Sequence, residues 1–169
     1  MISTVTGYDA EGQLTSAIEY VTMDSDELAV VYQITGHGES SLSAAFTDAL
    51  DKANIRLESL ELFNEEAVPE DAQAIIIHAP TSDFNEADAK KVIDYINGGG
   101  NVIVTCNYGY RNLTNFESIF ETYGMHWVDG IVAENNTQNY YNRNPFYLLP
   151  EVKSTNYTSS VYGSYVLAI

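Results

Sequence analysis

Leu28-Ala29-Val30-Val31-Tyr32-Gln33-Ile34-Thr35-Gly36-His37-Gly38-Glu39 joins three signals in twelve positions. Up to Ile34 it is an almost unbroken apolar run with several β-branched residues, the composition of a strand covered on both faces. Thr35 to Glu39 then makes a tight glycine-bearing loop. After it, Leu42, Ala45, Phe46, Ala49, Leu50 and Ala53 recur at helical spacing. Strand, glycine turn and helix form the unit from which α/β sheets are wound, and the loop leaving such a strand's carboxyl end borders the ligand crevice. Gly36, His37, Gly38 and Glu39 are therefore the first candidate ligand-binding residues.

The same signals recur downstream. Ala74-Ile75-Ile76-Ile77-His78-Ala79 is a second continuous apolar run, halted by Pro80, and Asn101 to Cys106 is a third. Between them Asn85, with Asp88 three residues on, opens a helix whose apolar stripe is Ala89, Val92, Ile93 and Ile96; Gly98-Gly99-Gly100 stops it. Ile55 to Leu62 mixes apolar residues with Arg56, Glu58 and Glu61, a half-polar pattern that predicts an edge strand, and an acidic connection over 64–71 follows. Leu113, Phe116, Ile119, Phe120 and Tyr123 predict another helix, closed by Gly124, and Trp127-Val128 with Ile131-Val132 a fifth strand. Upstream, Thr4 to Tyr8 reads as a short strand, and Leu14, Ala17, Ile18 and Val21 as one face of a first helix.

The expected fold class is α/β, a flavodoxin-like or class I amidotransferase-like parallel sheet with helices on both faces and the Ile55 strand at one edge. Its switch point falls between the Leu28 and Ala74 strands. The Gly36–Glu39 loop should then meet His78-Ala79-Pro80-Thr81, with Cys106-Asn107-Tyr108 beside them, which adds His78, Thr81 and Asn107 to the candidates. Residues 1–169 read as a single domain with its core over 14–134. From Asn135 apolar periodicity is lost and Asn, Tyr, Ser and Thr dominate. Residues 135–169 are expected to form an irregular segment on the sheet's carboxyl edge, ending in a strand from near Tyr162.

Charge narrows the partners. The chain carries 24 Asp and Glu against 7 Lys and Arg, a formal net charge of -17. Such a surface repels phosphate, which excludes nucleic acid and disfavours anionic lipid. The single cysteine, Cys106, rules out an internal disulfide and a multi-cysteine metal site. No window approaches the ~18 apolar residues of a membrane span, and the N-terminus lacks a basic-then-apolar signal. The closing run Tyr165 to Ile169 reads as a strand cut short, so the expectation is a domain excised from a longer protein.

The patterns that carry chemistry are incomplete. Gly36-His37-Gly38-Glu39 is neither a Walker loop nor Gly-x-Gly-x-x-Gly, and Glu39 would repel a phosphate. Its glycines serve backbone shape, with His37 and Glu39 hydrogen-bonding neighbouring loops. His37, His78 and Glu39 invite a metal or acid–base reading, but no spacing supplies the remaining zinc ligands. Cys106 ends a strand where some α/β hydrolases place a nucleophile, yet Val104 and Tyr108 stand where a nucleophile elbow needs glycines. The expectation is no catalytic residue, no metal and no cofactor. Two other classes remain open: a degenerate amidotransferase-like hydrolase using Cys106 or His37, and a carbohydrate-binding module using the tyrosines at 140, 141, 147, 157, 162 and 165.

A family resemblance adds to this reading. The stretch Leu14-Thr15-Ser16-Ala17-Ile18-Glu19-Tyr20-Val21-Thr22, followed by Val31 to Glu39, resembles the auxiliary domain of uncharacterised ABC-type transport systems, the GldG-like proteins named for a gliding-motility component. The similarity continues through Ile75-Ile76-Ile77-His78-Ala79-Pro80 and Val92-Ile93-Asp94-Tyr95-Ile96-Asn97-Gly98-Gly99-Gly100-Asn101-Val102, then Asn144-Pro145 and Leu148-Leu149-Pro150. The resemblance implies a flavodoxin- or amidotransferase-like domain, related to one in an intraflagellar-transport subunit. It also implies a non-enzymatic role on the extracytoplasmic face of the cell membrane, anchored by flanking membrane helices. The implied partners are the permease and ATPase subunits of an ABC transporter; a small-molecule or glycan ligand is an expectation from the switch-point loop and the tyrosines, not from the resemblance. It carries over no catalytic residues.

Overall fold

The computed structural model describes residues 10–22, 28–107, 112–128, 130–155, 158 and 167–168. The chain divides into a larger unit, Met1–His126, and a smaller one, Trp127–Ile169.

In the larger unit the apolar runs form strands β1 (Val30–Thr35), β3 (Ala72–His78) and β4 (Asn101–Thr105), with the half-polar β2 (Arg56–Glu61) at the edge where its charges reach water. All neighbours are parallel, in the order β2-β1-β3-β4. This is the winding that the sequence predicts. Pairing sets Tyr32 beside Ile75 and Ile76 beside Ile103, so β1 and β3 share both faces of the sheet's centre. Ile34, Ile75 and Ile77 are fully buried.

Helices α3 (Glu86–Asn97) and α4 (Thr114–Glu121) cover the face bearing Tyr32, Ile34, Ile75 and Ile77, contributing Ala89, Val92, Phe116 and Ile119 to one core. Phe84 sits in that core against Phe116, ring centroids 5.6 Å apart. A 3-10 turn at Leu62–Asn64 and Val68 bring the β2–β3 connection back over the same face. Helix α2 (Ala44–Lys52) links β1 to β2, a step in the opposite direction, and a right-handed crossover places it on the other face. Helices thus lie on both faces, as expected. The Gly98 cap ends α3, with Gly99 at φ +94° just beyond.

Four expectations need correction. Asn101 to Cys106, expected as a third buried strand, forms the edge strand β4 with Ile103 exposed, since among the described residues no strand pairs with its outer side. Helix α1 (Ala10–Thr22) forms where predicted and is held to the end of α2, Ser16 donating to Asn54 Oδ1 and Asn54 Nδ2 donating to the Ser16 carbonyl, each at 3.1 Å. Its stripe is not buried, however: Leu14, Ile18 and Val21 are exposed. The stripe of α2 likewise has no buried member. The fifth strand is also missing, because Trp127, Val128, Ile131 and Val132 are irregular and exposed. Gly130 lies between the two apolar pairs at φ +150°, and that backbone breaks the extended run.

The smaller unit is irregular apart from β5 (Tyr147–Leu148) and β6 (Leu167–Ala168), which pair antiparallel, and a bridge between Tyr140 and Leu148. The expected strand at Thr4 to Tyr8, the start of the closing strand at residues 162–166, and Tyr108 all lie outside the described residues.

Candidate functional site

At the switch point β1 and β3 are neighbours and their outgoing loops meet. The His37 carbonyl accepts the Thr81 and Ser82 amides at 3.0 and 2.9 Å, the Ser40 amide donates to the His78 carbonyl at 2.8 Å, and the Thr81 hydroxyl donates to the Gly38 carbonyl at 3.1 Å. Gly38 adopts φ +70°, and a Cβ there would collide with the Thr81 hydroxyl; only glycine lets the loops come this close. Gly36, at φ +109°, lies over the Glu61 side chain. The β4 end joins on the other side, where the Ala79 amide donates to the Thr105 carbonyl at 2.9 Å and His78 Nδ1 lies 2.6 Å from Thr105 Oγ1. Asn107 is exposed beyond it.

His37 is the centre of this edge and is buried, 7% exposed. Its ring stacks on Phe84, centroids 3.7 Å apart and planes 5° from parallel. Nδ1 lies 3.1 Å from Glu39 Oε1, and the His37 amide donates to Glu39 Oε2 at 2.8 Å. Nε2 lies 3.4 Å from Asp88 Oδ2. Asp88 in turn takes a 2.9 Å ion pair from Lys91, whose Nζ also donates to the Leu62 carbonyl at 2.6 Å. Asn85 caps α3 through the Asp88 amide and donates from Nδ2 to Asp88 Oδ2 at 2.7 Å. Burial alone would push the imidazolium pKa down; the Glu39 bond and charge, then those of Asp88, outweigh it and raise the pKa above the ordinary histidine value. Two carboxylates thus face the two ring nitrogens of one imidazole and favour its protonated form, and Lys91 pairs with the second carboxylate.

Beside this network opens a pocket of about 300 Å³. His37 and Asp88 form its buried side, and Glu61, Asp83 and the 77%-exposed Phe63 border it. Asp83 is a residue that the sequence pattern did not single out. Its Oδ1 accepts the Phe84 and Phe116 amides and its Oδ2 the Asn115 amide, at 2.9 to 3.1 Å, so it caps α4 from another loop. No local spacing announces a cap that arrives from thirty-odd residues away.

The structure therefore brings Gly36, His37, Gly38, Glu39 and Thr81 together, ties His78 to Thr105, and leaves Asn107 at the rim. Both ring nitrogens of His37 face carboxylates, so neither is free to accept a substrate's proton. Cys106 is exposed as a residue, yet its sulfur is desolvated enough to raise the thiol pKa, the opposite of an activated nucleophile. Among the described residues no group of three or more His, Cys, Asp or Glu side chains could hold a metal ion, and no helix is long and apolar enough to cross a membrane. Of the tyrosines, Tyr141 and Tyr147 are exposed, Tyr140 is half-buried, and those at 157, 162 and 165 lie outside the described residues.

No family model and no curated protein matches the chain. Among solved structures it is similar to the mmIFT52 N-terminal domain, with a TM-score of 0.59 over 82% of this chain and 65% of that one. The fold is α/β and flavodoxin-like. At 17% identity the likeness shows that architecture and nothing of activity, and the chain spans slightly less than two thirds of the neighbour's length.

Proposed function

We propose that the chain is a non-enzymatic, extracytoplasmic auxiliary domain of an ABC-type transport system, and that it recognises a partner subunit or a ligand at the carboxyl edge of its sheet. The reading rests on one observation: the polar groups gathered at the switch point are spent on one another. Glu39, His37, Asp88 and Lys91 form a closed run of charges that fixes the β1 loop against α3. A rim whose charged groups are paired with one another, with Phe63 and Asn107 exposed beside it, suits recognition better than proton transfer. The resemblance of residues 14–22, 31–39 and 75–80 to GldG-like domains supplies the transport context, the permease and ATPase partners, and the membrane anchor.

The test is affinity capture of the tagged full-length protein from its own cells, solubilised in mild detergent. The expected outcome is co-purification of an ABC permease and its ATPase. Their absence from the captured material, with the tagged protein intact, would remove the transport reading.

A further inference from the structure

The sheet has two edges, and they are built differently. β2 displays Arg56, Glu58 and Glu61, charges of the kind that keep an edge strand from pairing. β4, Asn101-Val102-Ile103-Val104-Thr105, has no charge, no proline and no bulge in its register with β3. Among the described residues no strand pairs with its outer side. On one face of β4, Ile103 is 48% exposed. On the other lies a groove of about 390 Å³ lined by Ile96, Val102, Val104, Phe120, Tyr123 and Met125. An open, neutral edge beside an apolar groove is what strand addition requires: the incoming chain completes the ladder, and its alternate side chains fill the groove.

Charge selects the occupant. Helix α4, which contributes Ile119 and Phe120 to the groove, also carries Glu117 and Glu121, and the chain as a whole is at -17. A second copy would bring like charges together, whereas a cationic segment gains from both the local and the summed field. We infer that β4 is a docking edge for an extended segment of a partner protein, apolar at alternate positions and flanked by Lys or Arg. This surface is on the flank of the sheet, apart from the carboxyl-edge crevice, and the inference stands without the transport reading.

The probe is a fluorescent peptide, Lys-Lys-Thr-Val-Thr-Val-Thr-Val-Lys-Lys, titrated with the whole chain and followed by anisotropy at about 0.15 M salt. Saturable binding is expected, weakened about tenfold or more when the flanking lysines become glutamates or the central valine becomes proline. Ile103→Lys and Met125→Lys should each abolish it. Leu14→Lys, which adds the same charge at an exposed site on α1, should leave it unchanged. No saturable binding, equal binding of the three peptides, or equal loss in the Leu14→Lys variant would overturn the inference. So would a dimer of the unmodified chain that Ile103→Lys dissociates, since the occupant would then be a second copy.

Discussion

His37 shows how one side chain couples charge to stability. Its pKa is raised in the folded state, so the stability it contributes is fully present below its unfolded value, about 6.5, and is lost as pH rises through the folded value. Urea midpoints should therefore fall as pH is raised above about 6.5, and the decline should flatten in His37→Gln. That variant should also cost roughly 1–3 kcal/mol at pH 6, because Glu39 and Asp88, each with its side chain 2% exposed, lose a cationic neighbour. A pH-independent midpoint in the unmodified protein would refute the assignment. Gly38 makes a steric counterpart: Gly38→Ala places a Cβ against Thr81 in a left-handed backbone and should cost about 1–3 kcal/mol in the same assay. Cys106 should react with iodoacetamide at pH 7 more slowly than free cysteine, since desolvation holds its thiol protonated; a fast reaction would favour the hydrolase reading instead.

The elements differ in how plainly the sequence announces them, and the difference has physical causes. β1 and β3 are apolar runs with one stable use, burial within a parallel sheet, and β2 declares its edge position through Arg56 and Glu58; β4 has the same apolar composition but stands at the other edge, so composition alone did not give its place in the order. Asn85 and Gly98 mark both ends of α3 because capping is a local bond. Trp127 to Val132 carries the composition of a strand without its partner, and pairing is not a local property. β5 escaped for the same reason, gaining its ladder only from a segment some twenty residues away, whereas its partner β6 falls within the apolar closing run that the sequence marks as a strand. Within the site, the Gly36–Glu39 loop and its meeting with Thr81 were legible from winding alone. The tie from His37 to Asp88 was not, because Asp88 reads as a helix-cap partner and nothing in its spacing points across the sheet. Asp83 belongs to the same class. Asp83→Ala should cost about 1–2 kcal/mol, with faster amide exchange at Asn115 and Phe116 than elsewhere in α4. Uniform exchange along α4 would show that the helix does not depend on this cap.

At the scale of the molecule, a strongly acidic chain builds one wound sheet and uses its two kinds of boundary differently. At the carboxyl edge the charged groups pair with one another; β4 itself is uncharged, borders an apolar groove and, among the described residues, pairs with no strand on its outer side. The most direct measurement places a photo-crosslinking amino acid at Phe63 on the carboxyl rim, and separately at Gln73 near the amino end of β3, in the full-length protein within its own cells. Crosslinks from Phe63 to a permease subunit, with none from Gln73, are the predicted result. Crosslinks from Gln73 alone, or none to any transporter subunit from either position, would contradict the account.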